Sequence, residues 1–431
     1  MLRILILLAA VVYVLAIPDG ILKEHQHVNP SADNEQFSTF PTVTEMIESY
    51  DYPVETHIVK TSDGYLLTMH RIPYGRAPGA EAGPDKQVVF LQHGLLCSSA
   101  DWVVTGPTQA LAYLLADAGY DVWMGNARGN SYSRNHVSLN PNSHAYWDFS
   151  WHEIGVRDLP AMIDYSLKTT GRDKLHYIGH SQGTTTLFVV LSFLPEYNHK
   201  ILSAHALAPV AFMSHLQSPF IKAFAPLVDT LDLVTSLLGV DEFMPSNNMM
   251  QMGGYIACRD TSPIQEVCAN ALFLIAGFDS EQLNRTMLPA ILANTPAGAS
   301  TKQLVHYGQL YNSGHFRQFD HGPLGNLAEY GSLSPPDYPL DKITAPIALH
   351  YSRNDWLAAV ADVDTLSLRL SSLIGTYLIP LPSFNHIDFL YAIDVRSLCY
   401  DAVLGLMNSF CGEPLVAAAT HSAVCGTPST N

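Results

Sequence analysis

The stretch LHYIGHSQGTTTLFVVLSF, residues 175–193, decides the fold. Residues 175–178 read as a buried strand, and residues 184–193 have the length and apolar character of a helix. Between them stands Gly179-His180-Ser181-Gln182-Gly183, a serine flanked by small residues at a strand-to-helix turn. In a nucleophile elbow of this kind the serine takes a strained backbone conformation, and side chains at the glycine positions would clash with neighbouring backbone. With 28 glycines in the chain, the pentapeptide alone carries little weight, and the strand before it and the helix after it give it meaning. The competing reading is a glycine-rich turn with an incidental serine.

Outward from this turn, short β-branched or aliphatic runs alternate with longer segments of helical period, the pattern of a parallel sheet with crossover helices. Residues 55–60 and 65–72 flank Ser62-Asp63-Gly64 and predict an antiparallel hairpin. Residues 87–91, 122–124, 204–208, 347–351 and 377–381 are further predicted strands. Residues 109–118 and 159–169 are predicted helices, and 389–410 a long closing helix.

A serine hydroxyl is a poor nucleophile until a base takes its proton, and the base needs a carboxylate to fix its tautomer and stabilise its charged form. Asp355 lies in the turn after predicted strand 347–351, and His386 in the turn after 377–381. Both stand just past strand C-terminal ends, where sheet enzymes assemble sites. The order Ser181, Asp355, His386 is the one the α/β-hydrolase scaffold uses. A turn-forming aspartate and a surface histidine are the plainer readings. Asp362, Asp364 and Asp388 are nearby competitors, although Asp388 reads better as the N-cap of the closing helix. A developing oxyanion needs two backbone N–H groups. Gln182, after the serine, supplies one, and Leu95, within His93-Gly94-Leu95-Leu96 after strand 87–91, supplies the other.

The 431 residues include 22 Lys plus Arg against 39 Asp plus Glu, a formal charge of −17, with 48% hydrophobic and 14% charged residues. This composition argues against a disordered chain, and the acidic balance without a basic run argues against a nucleic-acid partner. Charging all 19 histidines would set 41 positive groups against 39 carboxyls, so near-neutrality would come in acid. An acidic lumen fits that arithmetic, and so do ordinary surface histidines. No H-E-x-x-H, paired C-x-x-C or Gly-rich phosphate loop occurs, so no metal site is expected.

Met1-Leu2-Arg3, the apolar residues 4–15 and the small-residue site Val14-x-Ala16 read as a cleaved secretory signal over residues 1–16. The run is too short for a membrane-spanning helix. Passage through an oxidising lumen permits disulfides among Cys97, Cys258, Cys268, Cys399, Cys411 and Cys425. Connectivity does not follow from sequence; Cys258 and Cys268, with Pro263 between them, would close a small loop. Residues 412–431 form a small, polar tail that is expected to be mobile.

Taken together, His93-Gly94-Leu95-Leu96 with Asp101-Trp102, Gly125-Asn126-Ala127-Arg128-Gly129-Asn130, Asp158-Leu159-Pro160, Gly179-His180-Ser181-Gln182-Gly183 and Asn385-His386-Ile387-Asp388-Phe389 resemble the acid lipase family of gastric and lysosomal lipases. The likeness runs in order from about Pro41 to about Phe410. It implies an α/β-hydrolase core with a cap, no cofactor, a triad on Ser181, Asp355 and His386, an oxyanion hole on Leu95 and Gln182, and a cap disulfide between Cys258 and Cys268. The chain departs from the family pattern at Cys97, close to the oxyanion loop, and in a tail past Phe410 that carries Cys425. Asn284-Arg285-Thr286 is its only N-glycosylation sequon.

The strands ending near Ala208 and beginning at Ile347 lie well over a hundred residues apart, where one crossover helix would suffice. Residues 211–336 are therefore expected to be an inserted cap between core segments 17–210 and 337–411. Within it, Phe243, Met244, Met249, Met250 and Met252 gather flexible apolar side chains, suited to covering an acyl site or to forming the insert's own core. The first reading makes this stretch a lid that opens at lipid surfaces.

The expected function is a secreted or lysosomal lipase that hydrolyses acyl esters of neutral lipids, triacylglycerol or cholesteryl ester, through a Ser181 acyl-enzyme. Its partner would be a lipid surface, with no obligatory protein partner. A carboxylesterase on smaller soluble esters is the alternative. A hydrolase-fold binding module without catalysis is a remote one, since it has no reason to keep serine, aspartate and histidine in scaffold order.

Overall fold

The structure is a computed structural model that describes residues 40–410 apart from 226–240, 247–250, 253–254, 256, 260, 264 and 280. The hairpin forms as β1 (Glu55–Lys60) and β2 (Tyr65–Ile72), with the predicted bounds. There follow β3 (Val88–Gln92), β4 (Asp121–Met124), β5 (Asn135–His136), β6 (Leu175–His180) and β7 (Ile201–Leu207). Then come β8 (Glu242–Phe243), β9 (Ala299–Ser300), β10 (Ile347–Tyr351) and β11 (Leu373–Leu378). The main sheet runs β1-β2-β4-β3-β6-β7-β10-β11, with β5 beside β2, and every pair from β4 to β11 is parallel. This is the α/β class expected. Every residue of β3, β4 and β6 is buried, as a parallel sheet covered on both faces requires.

β7 and β10 are neighbours in the sheet, with His205 opposite Ala348, yet the chain between them holds the separate β8–β9 pair and several helices. Among these are Gln265–Ala276 and Thr301–Ser313. The last strand sits earlier than predicted because Pro380 and Pro382 cannot donate to a ladder, so pairing runs from Leu373 and ends at Leu378. The helix predicted at 109–118 is shorter, Leu111–Asp117.

The closing helix is not continuous. It breaks into Asp388–Tyr391, a π-helical turn Arg396–Tyr400 and Asp401–Met407. Gln282 causes the break: its carbonyl accepts from Ile393 N at 2.9 Å and its side-chain Oε1 from Asp394 N at 3.0 Å, taking the N–H groups that helix continuation needs.

Three histidines cross the centre of the sheet as a chain. His176 Nδ1 lies 2.8 Å from Ser203 Oγ, which lies 3.1 Å from His205 Nε2, and His205 Nδ1 lies 3.4 Å from His350 Nε2. All are buried, and burial pushes His350 down to about 3, His176 to about 4 and His205 well below the ordinary histidine range. Burial likewise depresses His70, to about 4, along with His93, His152, His180 and His306. The folded chain therefore does not charge all its histidines in mild acid, which corrects the near-neutrality read from composition.

The consequence for stability has a definite sign. An unfolded histidine takes its proton near pH 6.5, whereas burial makes these take theirs only at lower pH, so the unfolded state binds more protons and stability falls as pH drops through that window. Asp388 acts oppositely: burial raises its carboxyl to about 8, so its contribution grows as pH falls from 8 toward the usual carboxylate range. The histidines outnumber it. The urea midpoint is expected to fall steadily between pH 6.5 and 4; a flat or rising midpoint would contradict the buried neutral histidines.

Candidate active site

Ser181 stands between β6 and the helix Gln182–Phe193 with φ 53° and ψ −117°, a left-handed conformation unusual for a residue with a Cβ. Its neighbours make the turn possible. A Cβ on Gly179 would lie 2.6 Å from Gly183 O, and one on Gly183 would lie 2.3 Å from Gln92 O, at the end of β3. Glycine is required at both positions because the elbow packs directly on adjacent backbone.

His386 Nε2 lies 2.8 Å from Ser181 Oγ, and His386 Nδ1 lies 2.9 and 2.8 Å from the two Asp355 oxygens. An ionised carboxylate only accepts, so Nδ1 carries the hydrogen and Nε2 presents its lone pair to the serine hydroxyl. Asp355 Oδ1 also accepts from Leu357 N (2.9 Å) and Ala358 N (2.7 Å), which fixes the carboxylate. Asp355 and His386 are 1% and 3% exposed, so the relay is shielded from bulk water. His180 adds a brace, its Nε2 lying 2.9 Å from the His386 carbonyl oxygen.

The competing aspartates lie elsewhere. Asp362 accepts from His215 N and pairs with His215 Nδ1, both at 2.8 Å, and Asp364 is exposed. Asp388 is not the N-cap expected, since that position belongs to Ile387. Its carboxylate accepts from Asn385 N at 2.6 Å, closing the turn that carries His386.

Leu95 lies in the loop after β3. A Cβ on its neighbour Gly94 would stand 3.2 Å from Ser181 Cβ, so the loop backs directly on the serine. Gln182 opens its helix, which leaves its N–H among the first-turn donors without an intrahelical partner. The arrangement can activate a hydroxyl, stabilise the imidazolium so formed and offer N–H groups to an oxyanion, which together are the requirements of acyl transfer.

Residues 43–106 match the partial alpha/beta-hydrolase lipase region family, and residues 87–233 match the alpha/beta hydrolase fold family. Lipase 3 of Drosophila melanogaster is 50% identical over 366 residues, covering 85% of this chain and 92% of that protein. Gastric triacylglycerol lipase of Bos taurus is 42% identical over 368 residues, 85% of this chain and 90% of that one. Lysosomal acid lipase/cholesteryl ester hydrolase of Homo sapiens is 37% identical over 369 residues, with 85% and 91% covered. The chain belongs to the acid lipase family. As an acid lipase it is a carboxylic ester hydrolase. A solved structure from Sulfolobus solfataricus, 14% identical, superposes with a TM-score of 0.56 over 82% of this chain and 99% of that one, a likeness of fold alone.

In this acid lipase Cys258 and Cys268 are joined, with their Cα atoms 5.9 Å apart, while Cys97 and Cys399 are free. Cys411, Cys425, Met249, Met250 and the signal and tail residues lie outside the described residues. Asn284 Oδ1 accepts from Thr286 N (3.2 Å) and Thr286 Oγ1 (2.7 Å), so the sequon forms a partly exposed turn.

Two residues escape sequence reasoning. Asp101 is 2% exposed and accepts from Ser98 N (3.3 Å) in the loop after β3, Thr295 Oγ1 (3.1 Å) in the segment between β7 and β10, and Tyr391 OH (2.6 Å) beside the His386 turn. Gln303 Oε1 accepts from Gln182 Nε2 at 2.7 Å. Asp101-Trp102 stands out in sequence only as part of the family likeness; Gln303 carries no signal, because its partner lies 121 positions away.

Proposed function

We propose that Ser181, Asp355 and His386 are the catalytic triad of a lipase that hydrolyses acyl esters of neutral lipids. His386 Nε2 takes the Ser181 proton as Oγ attacks the ester carbonyl, and Asp355 stabilises the imidazolium. The N–H groups of Leu95 and Gln182 hold the oxyanion. The imidazolium then gives its proton to the leaving alcohol, and water repeats the sequence on the acyl-enzyme, releasing the fatty acid. The observation that carries this reading is the 2.8 Å approach of His386 Nε2 to Ser181 Oγ at a strained elbow.

Neutral lipid is favoured as substrate because the relatives named above are a gastric triacylglycerol lipase and a lysosomal acid lipase/cholesteryl ester hydrolase. Residues 211–336 serve as a cap between core segments 17–210 and 337–411, with a lid around Met249 and Met250 that opens on a lipid surface, and residues 412–431 as a tail. The signal-like residues 1–16 and the sequon at Asn284 support a route through the secretory pathway, to the outside of the cell or to the lysosome.

The test compares emulsified triacylglycerol and cholesteryl ester with a short soluble ester across pH. Emulsified long-chain ester is expected to be preferred, with the optimum below neutrality. Changing Met249→Ser and Met250→Ser together should weaken emulsion hydrolysis far more than soluble-ester hydrolysis. Preference for the soluble ester would favour a carboxylesterase, and equal loss on both substrates would remove the lid.

A further inference from the structure

We propose that residues 276–279, contributed by the segment between β7 and β10, are a positioning clasp that sets the alignment of Asp355 with His386; the proposal rests on the triad reading above. Where the helix Gln265–Ala276 ends, three successive carbonyls face the two loops that carry these residues. Ala276 O accepts from Trp356 N and from His386 N, both at 3.3 Å. Gly277 O accepts from Asn385 Nδ2 at 2.9 Å, and Phe278 O from Asn354 Nδ2 at 2.8 Å. Asn354 Nδ2 also reaches Ser383 O at 2.6 Å, and Ser383 Oγ donates to Asp279 Oδ2 at 2.9 Å.

These partners bracket the acid and the base. Asn354 and Trp356 flank Asp355, while Asn385 precedes His386 and the His386 N–H itself is held. Gly277 makes the approach possible: its φ is +113°, and a Cβ there would stand 2.1 Å from Asn354 O and 3.2 Å from Asn385 Cβ. Any side chain would push the two loops apart.

From the sheet, His180 at the end of β6 reaches the His386 carbonyl, and the strand ladder itself stops short of both loops. Asp355 and His386 lie beyond the ends of β10 and β11, in loops whose tips the strand ladder does not reach. A shift of about 1 Å in a reacting group can cost about a hundredfold in rate, so loops of this length need support from outside the sheet. The clasp supplies it, and it also confines any opening of the intervening segment to parts other than residues 276–279.

The test uses the full-length enzyme on a short soluble ester, with active sites counted by a serine-directed phosphonate. Gly277→Ala is expected to lower kcat per labelled site by about a hundredfold. Asn354→Ala, at a half-buried position, is expected to lower it by about tenfold, with KM within about twofold of wild type in both. If Gly277→Ala does not fold, Asn354→Ala decides. A merely structural role would reduce the labelled fraction and leave kcat per site unchanged, which would overturn the clasp. Failure of the wild type to label at Ser181 would overturn the triad reading and the clasp with it.

Discussion

Ser181→Ala is expected to lower ester hydrolysis by a factor on the order of 10⁶ while leaving the unfolding midpoint essentially where it was. The size follows from the way triad members fail together: without Oγ, His386 and Asp355 have no proton to move. Retained folding follows from the turn itself. Alanine carries the same Cβ as serine at φ 53°, and the elbow's close approaches belong to Gly179 and Gly183. A serine-directed phosphonate should label the wild type at Ser181 and nowhere else. Substantial turnover in the variant, or labelling at another serine, would sink the nucleophile assignment and reopen the non-catalytic binding-module reading.

The largest expected stability effect lies away from the relay, at Arg128. Its guanidinium takes both Asp63 oxygens, at 2.7 and 3.0 Å, and Asp158 Oδ1 at 2.8 Å from Nε, while its backbone N–H reaches Asp158 Oδ2 at 2.9 Å. The cation also lies 4.0 Å over the Tyr65 ring. The Arg128 and Asp158 side chains are 1% and 0% exposed. Burial opposes the arginine's charge, and the two carboxylates more than offset it, so its pKa lies above the ordinary value. Arg128→Met would strand the Asp158 carboxylate in the interior, at a cost of about 3–5 kcal/mol. A second change, Asp158→Leu, should recover part of the loss by removing the stranded charge. If Arg128→Met alone unfolds at the wild-type urea concentration, the pair is not holding the loops it joins.

Much of this molecule is legible in its sequence, for local reasons. The hairpin at β1–β2 is written in a turn signal between alternating residues, and the elbow in two glycines whose places no other residue can take. The order of Ser181, Asp355 and His386 is visible because each follows its own strand. What fails is set by partners distant in the chain. The closing helix has helical sequence throughout, but Gln282, over a hundred positions earlier, takes the N–H groups of Ile393 and Asp394. Asp388 looks like a cap because it precedes a helix; its carboxylate is instead used one turn earlier, on Asn385 N. The carbonyls of Ala276, Gly277 and Phe278 leave no side-chain signature at all, since backbone acceptors are the same in every residue.

That row of carbonyls bears on how such enzymes diversify. A segment that only covered a substrate could be exchanged between relatives as an independent module, with substrate choice travelling alongside it. Here the same segment holds the turns on both sides of the relay, so a graft of foreign sequence must also bring a glycine at 277 and meet amide side chains at 354 and 385. Change of specificity is thereby channelled toward parts of the segment away from residues 276–279 and from Thr295 and Gln303, which reach Asp101 and Gln182.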